Sequence, residues 1–151
     1  MLGRGAAALQ RRKSPSAYAR RSERPRADAV VPRHAGEDIE SVLALYEPDA
    51  IWRPLWDHRA PKRGRDEIRS YWRRLVDEGL RTEAIIQAVG PVDERRVIVR
   101  GRLIQRRGRE RSDRPACWLV EFGEAGVRSI TGYDRVGEAR AAARGDGDGD
   151  G

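Results

Sequence analysis

The chain predicts an α+β domain in which helices pack on one face of a curved antiparallel sheet. Two observations carry this. Apolar residues recur at helical spacing before Gly79 and at alternate positions after it, so the period falls from about 3.6 residues to 2. The elements are also segregated, helices first and strands afterwards, which an alternating βαβ pattern would not give. At 151 residues the chain fits one domain with a modest core. Hydrophobic residues make up 38 % and charged residues 36 %, so the apolar ones must be well segregated to bury anything.

Residues 1–33 are rich in Arg, Ser, Pro and Ala, and Pro15, Pro25 and Pro32 interrupt any helix. They read as a basic, mostly disordered leader with at most short helical turns. A first helix over about 37–46 places Ile39, Val42, Leu43 and Tyr46 on one face, with Pro48 just past its end as a stop. A strand, Ala50–Pro54, follows. A second helix over 66–78 stacks Ile68, Trp72, Leu75 and Val76 on one side, and Gly79 is its C-terminal cap. Strands are then expected at 81–89, 96–106, 114–123 and 126–134, separated by Gly90-Pro91, Arg107–Asp113 and Glu124–Gly126. The folded domain is therefore 34–138, and 139–151 is a flexible Gly/Asp tail. Asp146 to Gly151 matches the opening of a calcium loop, but neither its bidentate Glu nor flanking helices are present. No metal site is expected there.

The formal charge of +7 raises the question of nucleic acid. The leader carries nine Lys+Arg against two acids, whereas residues 34–151 carry 22 of each. All the excess lies outside the predicted domain, and no aromatic side chains interleave with it. Nucleic-acid binding is thus not expected. No apolar run approaches the roughly 20 residues of a membrane span, and none follows Arg11-Arg12 as a signal peptide would need. Cytoplasm is the expected location. The single Cys117, in the strand-like run ACWLVEF, is expected to be a buried small hydrophobe. His34 has no partner at metal-ligand spacing. No cofactor motif occurs, so the expected protein is cofactor-free.

The stretch DIESVLALYEPDAIWRP, then GRDEIRSYWRRL, then hairpins ending in Tyr133-Asp134 resembles the nuclear-transport-factor-2-like superfamily, in particular its SnoaL-like branch. The similarity covers roughly residues 36–137. It implies a cone, with helices packed on the concave side of a strongly bent sheet and a pocket between them. By that resemblance Trp118, Val120, Phe122, Val97, Val99, Gly101, Leu103, Ile130, Gly132 and Asp134 face the pocket. The convex side would pair two subunits, so a homodimer is expected. Trp52, Trp56, Trp72, Val99, Trp118, Val120 and Ile130 are the expected ligand-contacting residues for an apolar small molecule, with Trp72 also readable as plain core.

The family supports isomerases, cyclases, hydrolases and pure binding modules, so the resemblance does not name a reaction. Ketosteroid isomerisation is rejected. Its Tyr, base and buried acid fall at about Val30, Arg53 and Trp118, and neither a guanidinium nor an indole can do the work of a carboxyl group. Arg53 and Asp134 are the polar groups expected inside. They read either as anion clamp and general base, as in the Asp–Arg–Asp set of the superfamily's epoxide hydrolases, or as an ion pair holding strand to strand. His58, in the loop after Trp56, is the remaining acid/base candidate. Relatives place a helix before DIE, which Pro25 and Pro32 oppose here, so either a short helix over 26–31 survives or one wall of the cone is missing.

Overall fold

The computed structural model describes residues 24–34, 39–57 and 59–148. A single 3₁₀ turn, Ala27–Ala29, precedes helix α1, Ile39–Leu43. Strands β1, Tyr46–Arg53, and β2, Lys62–Arg63, lead to helix α2, Gly64–Asp77. Four strands follow, β3, Leu80–Pro91; β4, Arg96–Arg107; β5, Glu110–Phe122; and β6, Val127–Tyr133. Helix α3, Val136–Asp148, completes the order. The sheet runs β2-β1-β6-β5-β4-β3. Its pairs are antiparallel except β1 with β6, which is parallel, so the sheet is mixed where the sequence predicted antiparallel pairing throughout.

Alternation sets the two faces of the sheet. Val99 lies opposite Trp118, Val97 opposite Val120, and Val120 opposite Ile130, all buried on the concave side. Gly101 shares that side because the β3 backbone crosses over it at a bulge between Ile86 and Ala88. A Cβ there would collide with the Ile85 carbonyl oxygen. Helix α2 covers this face through Ile68, Tyr71 and Trp72, the i, i+3, i+4 set that the pattern requires. The Trp72 ring meets Trp52 edge-on at 5.4 Å and Tyr46 edge-on at 6.2 Å.

Helix α1 is shorter than the expected 37–46, because Tyr46 is taken into β1, where it pairs with Val127. Pro48 lies inside β1 instead of past a helix end. The register jumps between Tyr46 and Ile51, so Pro48 falls in an irregular stretch where its missing N–H costs no ladder bond.

The leader boundary also moves. Residues 24–34 belong to the domain as an extended strap. Val30 and Val31 are buried in the main core, and the Tyr46 hydroxyl donates to the Val30 carbonyl at 2.7 Å. Arg24 stacks over Phe122, and Ala84 N–H donates to the Arg33 carbonyl at 2.8 Å beside the His34–Glu83 bridge. Pro25 and Pro32 do prevent a long helix, but the wall is present, built from extended chain. The rest of the leader, 1–23, lies outside the described residues.

The expected tail differs most. Residues 136–148 form α3, laid on the convex face with Ala139 and Ala143 buried against Ile98, Cys117 and Leu119. Small side chains at i and i+4 let the helix sit close, and that burial offsets the low helix propensity of Gly145 and Gly147. Part of the face assigned to a second subunit is thus covered by the chain's own helix. No helix among the described residues is long and apolar enough to cross a membrane.

Two consequences can be measured. Gly101→Ala should destabilise the domain by about 2 kcal/mol through overpacking against the β3 backbone, read as a lowered denaturation midpoint; an unchanged midpoint would contradict the bulge. Burial pushes the Cys117 thiol up to about 11, so at pH 8 only about one thiol in a thousand is ionised. Ala139→Asp, which undocks α3, should speed its alkylation at least about tenfold; equal rates would show that α3 does not shield it.

Candidate functional site

The concave face and α2 enclose one aromatic cavity of about 50 Å³, room for one or two water molecules. Trp52, Trp118 and Leu103 supply its sheet side, Tyr71, Trp72 and Leu75 its helix side, and Val31-Pro32 of the strap one wall. Leu55 and Trp56 fold back over the remaining side. Leu55 crosses directly above Gly132, where a Cβ would come within 2.9 Å of the Leu55 Cβ. Trp56 stands at the mouth, 45 % exposed.

Two side chains of this wall carry a buried hydrogen-bond donor without a partner among the described residues, Trp52 Nε1 and Tyr71 Oη. Each is buried, and leaving such a group unpaired costs on the order of 1–3 kcal/mol. Burial pushes the Tyr71 phenol above its ordinary range, with the Trp56 indole opposing the shift, although that indole does not reach hydrogen-bonding geometry at Oη. The phenol is therefore protonated at neutral pH, a donor and not a base. Lys62 Nζ and Arg74 Cζ lie 4.9 and 5.5 Å from the Tyr71 ring centroid and hold its orientation from outside.

All four tryptophans expected at the pocket line the cavity. Val99, Val120 and Ile130 do not; they are fully buried in the packed layer beneath it. Arg53 and Asp134 are not brought together. Trp52 faces the cavity, so its neighbour Arg53 faces the opposite side of the strand, where Nη1 donates weakly to Thr131 Oγ1 at 3.5 Å. Asp134 lies past the end of β6, exposed, with Arg114 Nη1 3.9 Å from its carboxylate. Neither of the two lines the cavity. His58 lies outside the described residues. No group of three or more His, Cys, Asp or Glu among the described residues is placed to hold a metal ion.

Among the described residues the cavity wall contains no carboxylate, imidazole, thiol or amine. What it offers is aromatic surface, the two unpartnered donors and the hydroxyl-bearing Thr82. Tyr71 escaped the sequence reading although it stands three residues after Ile68, on the buried stripe. The strap residues Val31 and Pro32 escaped because nothing local marks an extended segment as a wall.

The SnoaL-like domain family matches residues 28–130, well over half of the chain. The chain belongs to the SnoaL-like family. That match begins inside the strap and ends in β6, so it includes the segment first read as leader. Among solved structures, a Mycobacterium tuberculosis epoxide hydrolase of the LEH-like kind superposes with a TM-score of 0.57 at 19 % identity, covering 71 % of this chain and 77 % of that one. A candidate polyketide cyclase from Xanthomonas campestris gives 0.55 at 14 % identity, covering 69 % and 83 %. A ketosteroid isomerase-like protein from Catenulispora acidiphila, solved with trimethylamine, gives 0.57 at 14 %, covering 66 % and 76 %. These likenesses establish the fold of this SnoaL-like chain. No curated protein matches it.

The orphan hydroxyl makes a prediction in the unliganded protein. Tyr71→Phe removes an unsatisfied buried group and should leave stability unchanged or raise it by about 1 kcal/mol in chemical denaturation. A loss of more than about 1 kcal/mol would show that Oη has a partner.

Proposed function

We propose that this SnoaL-like protein binds a small, flat, mostly apolar molecule carrying a hydrogen-bond acceptor, and that its cavity sequesters this molecule without acid–base catalysis by Arg53 and Asp134. The observation that carries the reading is the pair of buried unpartnered donors, Trp52 Nε1 and Tyr71 Oη, on side chains lining an aromatic space with no base among its described residues. A carbonyl or ether oxygen placed between them would satisfy both, while the ring stacks on Trp52 and Trp118. The likeness to a candidate polyketide cyclase agrees with an aromatic carbonyl compound as the ligand class.

Known ligand pockets are roughly 300–1,000 Å³, so the present cavity must expand to be filled. Trp56 is the side chain placed to do this: it stands at the mouth, and its outward rotation opens the cavity without disturbing the sheet. The competing reading is a hydrolase in which Arg53 and Asp134 act on the substrate. Its difficulty is geometric, since Arg53 points away from the cavity and Asp134 is solvated at the rim.

Native mass spectrometry of the purified protein, followed by titration of the ligand it identifies against tryptophan fluorescence, tests the reading. A small apolar adduct should be retained in Arg53→Ala and Asp134→Asn and weakened about tenfold in Tyr71→Phe, the cost of one buried hydrogen bond. Turnover of that ligand, abolished by Arg53→Ala or Asp134→Asn, would overturn the non-catalytic assignment.

A further inference from the structure

A second concavity lies on the other side of the sheet, between α3 and the β3–β4 hairpin. Its volume is about 570 Å³, inside the range of small-molecule sites. Arg140 and Arg144 stand one turn apart on α3, and Arg100 enters from β4, opposite Ala88. Arg96 closes the end and is engaged: Nε and Nη2 donate to Asp93 Oδ2 at 3.0 and 2.8 Å, and Nη1 donates to the Ala143 carbonyl at 2.9 Å. That bridge ties α3 to the hairpin and gives the groove a fixed width.

Asp93 is the one carboxylate among the described residues of the wall, and Arg96 already holds it below its ordinary range. Arg100, Arg140 and Arg144 have no ion-pair or hydrogen-bond partner among the described residues. Three like charges around a shared groove repel one another, and an anion between them removes that repulsion. The opposite wall is apolar, formed by Ala88, Ile98 and the exposed Val92, whereas Val89 pairs with Val99 and turns its side chain to the concave face.

We propose that this groove is a binding site for an organic phosphate, its phosphate oxygens held by Arg100, Arg140 and Arg144 and its apolar body lying on Ala88 and Val92. A single guanidinium satisfies a carboxylate, whereas three from two elements suit a doubly charged group with three free oxygens. The groove is a bounded concavity and not a basic stripe, and no aromatic side chain lines it for base stacking, so a small molecule fits it better than nucleic acid. The site is independent of the aromatic cavity, which lies across the sheet.

The test is calorimetric titration of the full chain near neutral pH and low ionic strength with hexyl phosphate, inorganic phosphate and a DNA duplex. Hexyl phosphate should bind one to one, at least about fivefold more tightly than inorganic phosphate, because the chain buries on Ala88 and Val92. Arg140→Glu with Arg144→Glu should weaken it at least about tenfold. Both positions are exposed, and circular dichroism checks the fold. Arg107→Glu with Arg109→Glu, at the far hairpin tip, should change it less than about twofold. The proposal fails if hexyl phosphate does not saturate, if both double variants weaken it equally, or if the hexyl chain adds nothing. Tighter binding of the duplex, lost in the α3 variant, would replace it with a nucleic-acid surface.

Discussion

The edge-on contact of Trp72 with Trp52 and Tyr46 is the interaction on which the rest of the domain depends. It fastens α2 to β1, and β1 is the strand whose parallel pairing with β6 joins the helical part of the chain to the meander. Tyr46 then carries the connection outward. Its ring is held by Trp72, and its hydroxyl holds the Val30 carbonyl. One aromatic set thereby positions a helix, a strand and the strap. Trp52 and Trp72 of that set also line the cavity, so the packing that stabilises the fold shapes the site.

The two faces of the sheet are put to different uses. On the concave side, apolar residues from every long strand pack beneath α2, and two buried donors are left unpartnered among the described residues. On the convex side, α3 covers an apolar strip centred on Cys117 and leaves guanidiniums along its outer margin. Salt bridges elsewhere are mostly exposed, such as Glu40 with Arg69 and Arg73 between α1 and α2. Such pairs contribute little individually and are screened by salt. The abundant arginine of this sequence is therefore mainly surface, and the places where it is concentrated without acids are informative.

The strands and α2 were legible because each has a clean period and glycine or proline at its ends. Residues Arg96–Arg107 read as a strand from Val97, Val99 and Leu103 alone. The strap was not legible, because Val30 and Val31 between two prolines look like any short apolar pair until Tyr46 and the sheet bury them. Helix α3 was hidden by its Gly/Asp composition, and only docking of Ala139 and Ala143 explains it. The error over Arg53 has a different origin. Trp52 and Arg53 are consecutive residues of one strand, so alternation forbids both from facing the pocket. Assigning Arg53 by its family position overrode a constraint that the sequence already contained.

The strap closes the aromatic cavity with Val31 and Pro32 and, three residues later, lies along the outer strand of the sheet. Its hold on the domain is a handful of contacts around one hydroxyl and one amide, so it opens locally at a lower free energy than the sheet unfolds. Where the strap opens, Val31 and Pro32 leave the cavity wall, which gives an occupant a second exit besides the mouth at Trp56. Residence time then depends in part on this eleven-residue segment and can be lengthened or shortened by changes at Val30 or Tyr46, neither of which lines the cavity.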